Sequence, residues 1–146
     1  MSTQSIANVR IQQLVPLLMV QDMERSLAFY ATGLGFEIKD TWKPEGKIRW
    51  CWLEQGGAAL MLQEWGAADP RRTELLGKVG AGVGFNFQCT DAISFYKSVK
   101  ERGIGVQRPF VGNNMWVASL DDPDGYSLHF ESPTDAPEES EYQEEQ

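Results

Sequence analysis

The chain has 146 residues, with 13 Lys+Arg against 21 Asp+Glu and a formal net charge of −8. That length suits one domain, or two small repeats sharing a core, and the charge argues against a nucleic-acid partner or a basic membrane-surface role. Much of the charge is terminal: residues 135–146, DAPEESEYQEEQ, carry Asp135, Glu138, Glu139, Glu141, Glu144, Glu145 and no base, and composition predicts an acidic unstructured tail there. No apolar run reaches the roughly 20 residues that span a bilayer. The opening MSTQSIANVRIQQ is polar and without an apolar signal core, so a cytoplasmic, membrane-free protein is expected. Cys51 and Cys89 lack CxxC spacing and read as reduced thiols. His129 is the single histidine, so no site with two histidines can be built within one chain.

Taken in chain order, LVPLLMV (14–20) is short and apolar and predicts a buried strand. Asp22 reads as a helix N-cap with Glu24 in the first turn. Leu27, Tyr30 and Leu34 then share one helical face, and Gly33 or Gly35 ends the helix. Residues 36–42, 48–53 and 58–63 predict three strands, the first two joined by KPEG and the last two by EQGG. A Gly-, Ala- and charge-rich connector follows at 65–82, with a short helix near 72–76. Then the order restarts. Residues 83–89 predict a strand, Thr90 or Asp91 caps a helix to Arg102, and Ala92, Phe95 and Val99 form its apolar face. Gly103 stops it. Strands near 105–108, at 115–120 and at 126–131 complete the series, the last two separated by Asp122-Pro123-Asp124-Gly125. Each half therefore offers one helix to cover one face of a four-stranded sheet, which leaves the other face to a ligand, the second half or a partner chain.

Three stretches, VPLLMVQDMERSLAFYATGLGFEI, GGAALMLQE and DDPDGYSLHFESP, together with GVGFNFQCTDAISFYKSVKERG, resemble the glyoxalase / bleomycin-resistance / ring-cleaving-dioxygenase superfamily, the vicinal oxygen chelate fold. The likeness covers roughly residues 12–133. It implies an α+β chain of two βαβββ modules, about 12–64 and 83–133, whose sheets curl around a cleft within one domain ending near residue 134. It also implies a homodimer, often with strands exchanged. In metal-dependent members, ligands stand on the first and last strand of each module, and these positions fall here on Val15, Met61, Gly84 and His129. Only His129 carries a donor suited to a divalent ion. Glu131 lies on the same face two residues on, and Glu64 ends its strand; a His129–Glu131–Glu64 cluster requires a shift of register. No metal and no cofactor is therefore expected.

Strand alternation places further side chains. Trp50 and Trp52 share a face. If Leu53 stands opposite Ala58, Trp50 stands opposite Met61, and the three form an aromatic wall; a one-residue slip would instead turn them into the core. The inward positions of the other strands are Val15, Leu17 and Met19, then Gly84, Asn86 and Gln88, then Ser127, His129 and Glu131. Trp116, after the Val111-Gly112-Asn113-Asn114 loop, is placed at the cleft mouth. The expected ligand-binding set is thus Trp50, Trp52, Met61, Asn86, Gln88, Trp116, Ser127 and His129, with His129 and Glu131 as candidate acid–base groups. Two roles fit His129: a cleft imidazole, or a hydrogen-bonded strand histidine without catalytic part. Phosphate-loop and nucleophile-elbow motifs are missing. Similarity to bleomycin-resistance proteins implies a metal-independent dimer sequestering an aromatic or hydrophobic small molecule, as in antibiotic resistance. The alternative is a glyoxalase-like lyase or isomerase, or a dioxygenase-type enzyme, using a divalent metal or His129 and Glu131 as acid and base.

Overall fold

A computed structural model describes residues 9–144 of the chain. Each half builds a strand, a helix and three further strands. The first contains β1 (Leu17–Val20), α1 (Met23–Leu27), β2 (Glu37–Trp42), β3 (Trp50–Gln55) and β4 (Ala58–Glu64). The short α2 (Arg71–Glu74) lies in the connector. The second half contains β5 (Gly84–Gln88), α3 (Ala92–Glu101), β6 (Phe110–Gly112), β7 (Met115–Asp121) and β8 (Ser127–Pro133). The sheets have matching orders, β1-β4-β3-β2 and β5-β8-β7-β6, with the first and last strand of each half paired in parallel. This is the expected α+β architecture of two βαβββ units.

Local chemistry explains the boundaries. Asp22 and Asp91 cap the two helices, accepting from the backbone amides of Arg25 at 3.1 Å and Ser94 at 3.0 Å, which satisfies amides left unpaired in a first turn. α1 continues as a π-helical turn over Ala28–Gly33. Gly33 packs closely there, since an added Cβ would stand 2.8 Å from Ile104 Cδ1 and the end of that side chain would have to shift. β1 is shorter than predicted: Leu14 is 88% exposed and pairing begins at Leu17. The strand expected near 105–108 is irregular, tied to β7 by the Gln107 amide on the Ser119 carbonyl, and the second strand of this half, β6, starts beyond Pro109, which cannot donate to a ladder.

Each sheet turns one face inward, and the two inward faces merge into one core. Leu18, Val20, Cys51, Leu53, Leu60 and Leu62 meet Val99, Leu120, Leu128 and Phe130, with Tyr30, Leu34 and Phe36 also in that cluster. A polar lock joins the halves. The Tyr30 hydroxyl donates to Asp122 Oδ2 at 2.7 Å, while Asp122 Oδ1 accepts from the amides of Asp124 and Tyr126. Asp122 is only 4% exposed, and burial raises its pKa above the ordinary 3.8 despite the donors around it. Asp124 accepts from the Gln21 amide at 3.0 Å and pairs with Arg25, so the DPDG turn grips the start of α1.

The acidic segment also differs from expectation. Residues 139–142 lie along β6, with Phe110 bridged to Glu141 in antiparallel fashion. Pairing with an open strand edge gives these polar residues backbone partners that composition does not reveal. Residues 145 and 146 lie outside the described residues.

Candidate functional site

The outward face of the first sheet is aromatic. Trp52 pairs with Met61 and Trp50 with Gln63, while Leu17 flanks Met61 from β1. Trp42 and Asp40 stand beside Trp50 and Trp52 from β2. The alternate residues Cys51, Leu53, Leu60 and Leu62 are buried, whereas Trp50, Trp52 and Met61 are half-buried. The β3–β4 turn sets Gln55 opposite Ala58, two residues from the expected register. An even shift leaves every side chain on its face, so Trp50, Trp52 and Met61 do stand together.

The outward face of the second sheet is polar and built in rows. Gly84, Ser127 and Asp121 align across β5, β8 and β7; Asn86, His129 and Ser119 form the next row; Gln88, Glu131 and Val117 the third. Two rows carry close side-chain hydrogen bonds across the strands. Ser119 Oγ lies 2.7 Å from His129 Nδ1, and Gln88 Nε2 donates to Glu131 Oε1 at 2.6 Å. In the first row Ser127 Oγ reaches Asp121 at a longer 3.4 Å. Ser119 is almost buried, so it holds the imidazole and leaves Nε2 for the open side. Gly84 keeps that side clear, since an added Cβ would lie 3.4 Å from His129 Nε2 and Cδ2. Ser119 was missed from sequence, although its alternation on β7 relative to His129 carried the signal once the turn register was known.

Trp116 does not join this face. It pairs with Ser132, whose hydroxyl accepts from the Ala92 amide at the start of α3, and its ring meets Tyr142 edge-on at 6.1 Å. The parity of the β7–β8 register turns it to the helix side, which corrects its expected place at the cleft mouth. Glu64 is likewise remote from His129 and Glu131. It accepts from the Met23 amide at 2.8 Å and is ion-paired with Arg49, so it serves the start of α1 in the other sheet.

The chelate positions supply Val15, Met61, Gly84 and His129, a set with one donor side chain, which does not fit a divalent ion. Among the described residues no cluster of three or more His, Cys, Asp or Glu side chains could hold a metal. Burial pushes the Cys51 thiol up to about 11 and raises that of Cys89, so neither is a ready thiolate at neutral pH. A cavity of about 1220 Å³ runs along β5 between the two sheets; Asn86 and Gln88 border it, together with Phe36, Phe87, Phe95 and Gln55. Its aromatic side is ordered by Phe87 and Phe95 stacked on Phe130 at 4.6 and 3.8 Å. Trp50, Trp52, Met61 and His129 face elsewhere.

The model of the Glyoxalase/Bleomycin resistance protein/Dioxygenase superfamily matches residues 10–130. The chain belongs to this superfamily. A lactoylglutathione lyase of Haemophilus influenzae is 30% identical over 129 residues, covering 82% of this chain and 91% of that protein. An antibiotic-binding protein from Streptomyces sp. CB03234 superposes with a TM-score of 0.66 at 23% identity, covering 89% of this chain and all of the other. A bleomycin resistance determinant encoded on transposon Tn5 gives a TM-score of 0.63 at 24% identity, covering 86% of this chain and all of its own. These two structural likenesses concern the fold. No helix among the described residues is long and apolar enough to cross a membrane.

Proposed function

We propose that this superfamily member is a metal-independent small-molecule-binding protein that sequesters an aromatic or hydrophobic ligand in the cleft of a homodimer. The observation that carries the reading is that Val15, Met61 and Gly84 stand at the chelate positions in place of ligand side chains, while Met61 shares an aromatic sheet face with Trp50 and Trp52. Indole and thioether surfaces stack planar organic groups, while Asn86, Gln88, Ser127 and His129 offer the few polar contacts that orient one. The two outward faces belong to different sheets that share a core on their other sides, and Leu17 and Trp42 are 46% and 55% exposed. A second chain completing the cleft accounts for both facts. The action is stoichiometric: ligand is buried and no bond changes.

A second reading, a lyase or isomerase, draws on the curated relatives named lactoylglutathione lyase and on the Ser119–His129 contact. In it His129 and Glu131 would move protons without an ion. Two measurements separate the readings. After incubation with divalent ions and dialysis, metal analysis is expected to find well under one ion per chain. Titration with a panel of aromatic antibiotics and metabolites is expected to quench tryptophan emission, with recovery of every titrant unchanged. One ion per chain that is lost in Glu131→Ala, or consumption of a titrant, overturns the binding-only reading.

A further inference from the structure

The acidic C-terminal segment is seated in a groove remote from the proposed ligand faces, since Trp116 and α3 lie on the other side of β7 from His129. Its backbone completes the free edge of β6. The Val111 amide donates to the Ser140 carbonyl at 2.8 Å, the Glu139 amide to Val111 at 2.9 Å and the Tyr142 amide to Pro109 at 2.8 Å. Its side chains are matched in charge. Glu141 lies 3.9 Å from Arg108. Glu144 accepts from the Tyr96 hydroxyl and pairs with Lys100 at 3.3 Å. Glu138 accepts from the adjacent amides of Asn113 at 2.5 Å and Asn114 at 3.3 Å. Both asparagines have positive φ, 53° and 63°, and successive amides in such a turn form an anion-binding concavity. Tyr142 sits edge-on to Tyr96 and Trp116, at 5.9 and 6.1 Å, with Lys97 Nζ 5.7 Å from its ring.

These are the parts of a peptide-recognition site: a strand edge for backbone pairing, an aromatic pocket for one side chain, and cations for flanking acids. We propose that the groove of β6, β7 and α3 is a reversible binding site for an extended acidic peptide bearing a tyrosine, occupied in cis by residues 138–144 and open to the same segment of a second copy. Reversibility follows from the contacts. They are edge-strand bonds and ion pairs whose cations are more than half exposed, 58% for Lys100 and 52% for Arg108, so water and salt compete for them.

The test uses the full chain and amide hydrogen exchange. Tyr142→Ala is expected to speed exchange at the Val111 amide by about tenfold or more, with the Leu128 amide in the sheet interior unchanged. Glu144→Gln, a milder variant, removes the pair with Lys100 and is expected to speed Val111 exchange slightly at low salt and to make it less salt-sensitive. A synthetic peptide of residues 135–146 added to Tyr142→Ala should restore protection at Val111, and the same peptide with alanine for its tyrosine should not. Unchanged exchange at Val111, joint acceleration of Val111 and Leu128, or failure of the tyrosine peptide to protect would each overturn the proposal.

Discussion

The two sheets repeat one strand order and one parallel closing pair, yet their outward faces have opposite chemistry. The first presents Trp42, Trp50, Trp52 and Met61; the second presents Asn86, Gln88, Ser127, His129 and Glu131 in cross-strand rows. A repeated backbone thus fixes where side chains stand and leaves free what they are. One face supplies area for burial and stacking, the other supplies direction through hydrogen bonds whose partners are already in place.

The comparison breaks most completely if the shared core comes apart. Asp122→Ala removes the acceptor for the Tyr30 hydroxyl and two amides, and a loss of about 3 kcal/mol in denaturant unfolding is expected, with both faces lost together. Asp122→Asn keeps an acceptor and sheds the buried charge. The raised pKa of Asp122 means that the folded chain holds this proton more tightly than the unfolded one. Its contribution to stability is present below the ordinary 3.8 and lost as pH rises through the folded value. Unfolding measured against pH should therefore show a fall across that window in the native chain that flattens in Asp122→Asn.

Trp50→Ala comes next. The ring is half-buried, so stability should change by about 1 kcal/mol or less, while affinity for an aromatic ligand found by fluorescence falls about tenfold or more. Ser119→Ala tests the polar face. It frees His129 Nδ1, and nitrogen-detected NMR should show altered imidazole tautomer populations with affinity reduced only a few-fold. Gly84→Ala is the smallest. The added Cβ meets the imidazole at 3.4 Å, so a stability change within about 0.5 kcal/mol should accompany a shift of the His129 ring resonances.

Much of this was legible from period and caps. Asp22 and Asp91 marked both helix starts, and alternation grouped Trp50 with Trp52 and Met61 even though the turn moved the register by two. Trp116 shows the limit. Its face depends on whether the β7–β8 register is odd or even, and that is settled by the closing geometry of the DPDG turn, where the Asp122 amide donates to the Tyr126 carbonyl, a detail that composition and alternation do not give. Ser119 was hidden for the same reason. The ordering of residues 139–142 was hidden because a polar segment gains its structure from an edge it cannot announce locally. The large cavity along β5 arises between the two sheets, so no single stretch encodes it.

The lock between the halves has a consequence for biosynthesis. Every strand of the first sheet precedes residue 65 in the chain, so that sheet has all its partners early in synthesis. Tyr30, fully buried in the finished core, nevertheless waits for Asp122, 92 residues later. Until then its hydroxyl must keep water, and the first half cannot close over it without leaving a donor unmatched. The final packing of the early half is in this way set to the arrival of the late one, and a nascent chain halted between them would hold a paired sheet over an unfinished core.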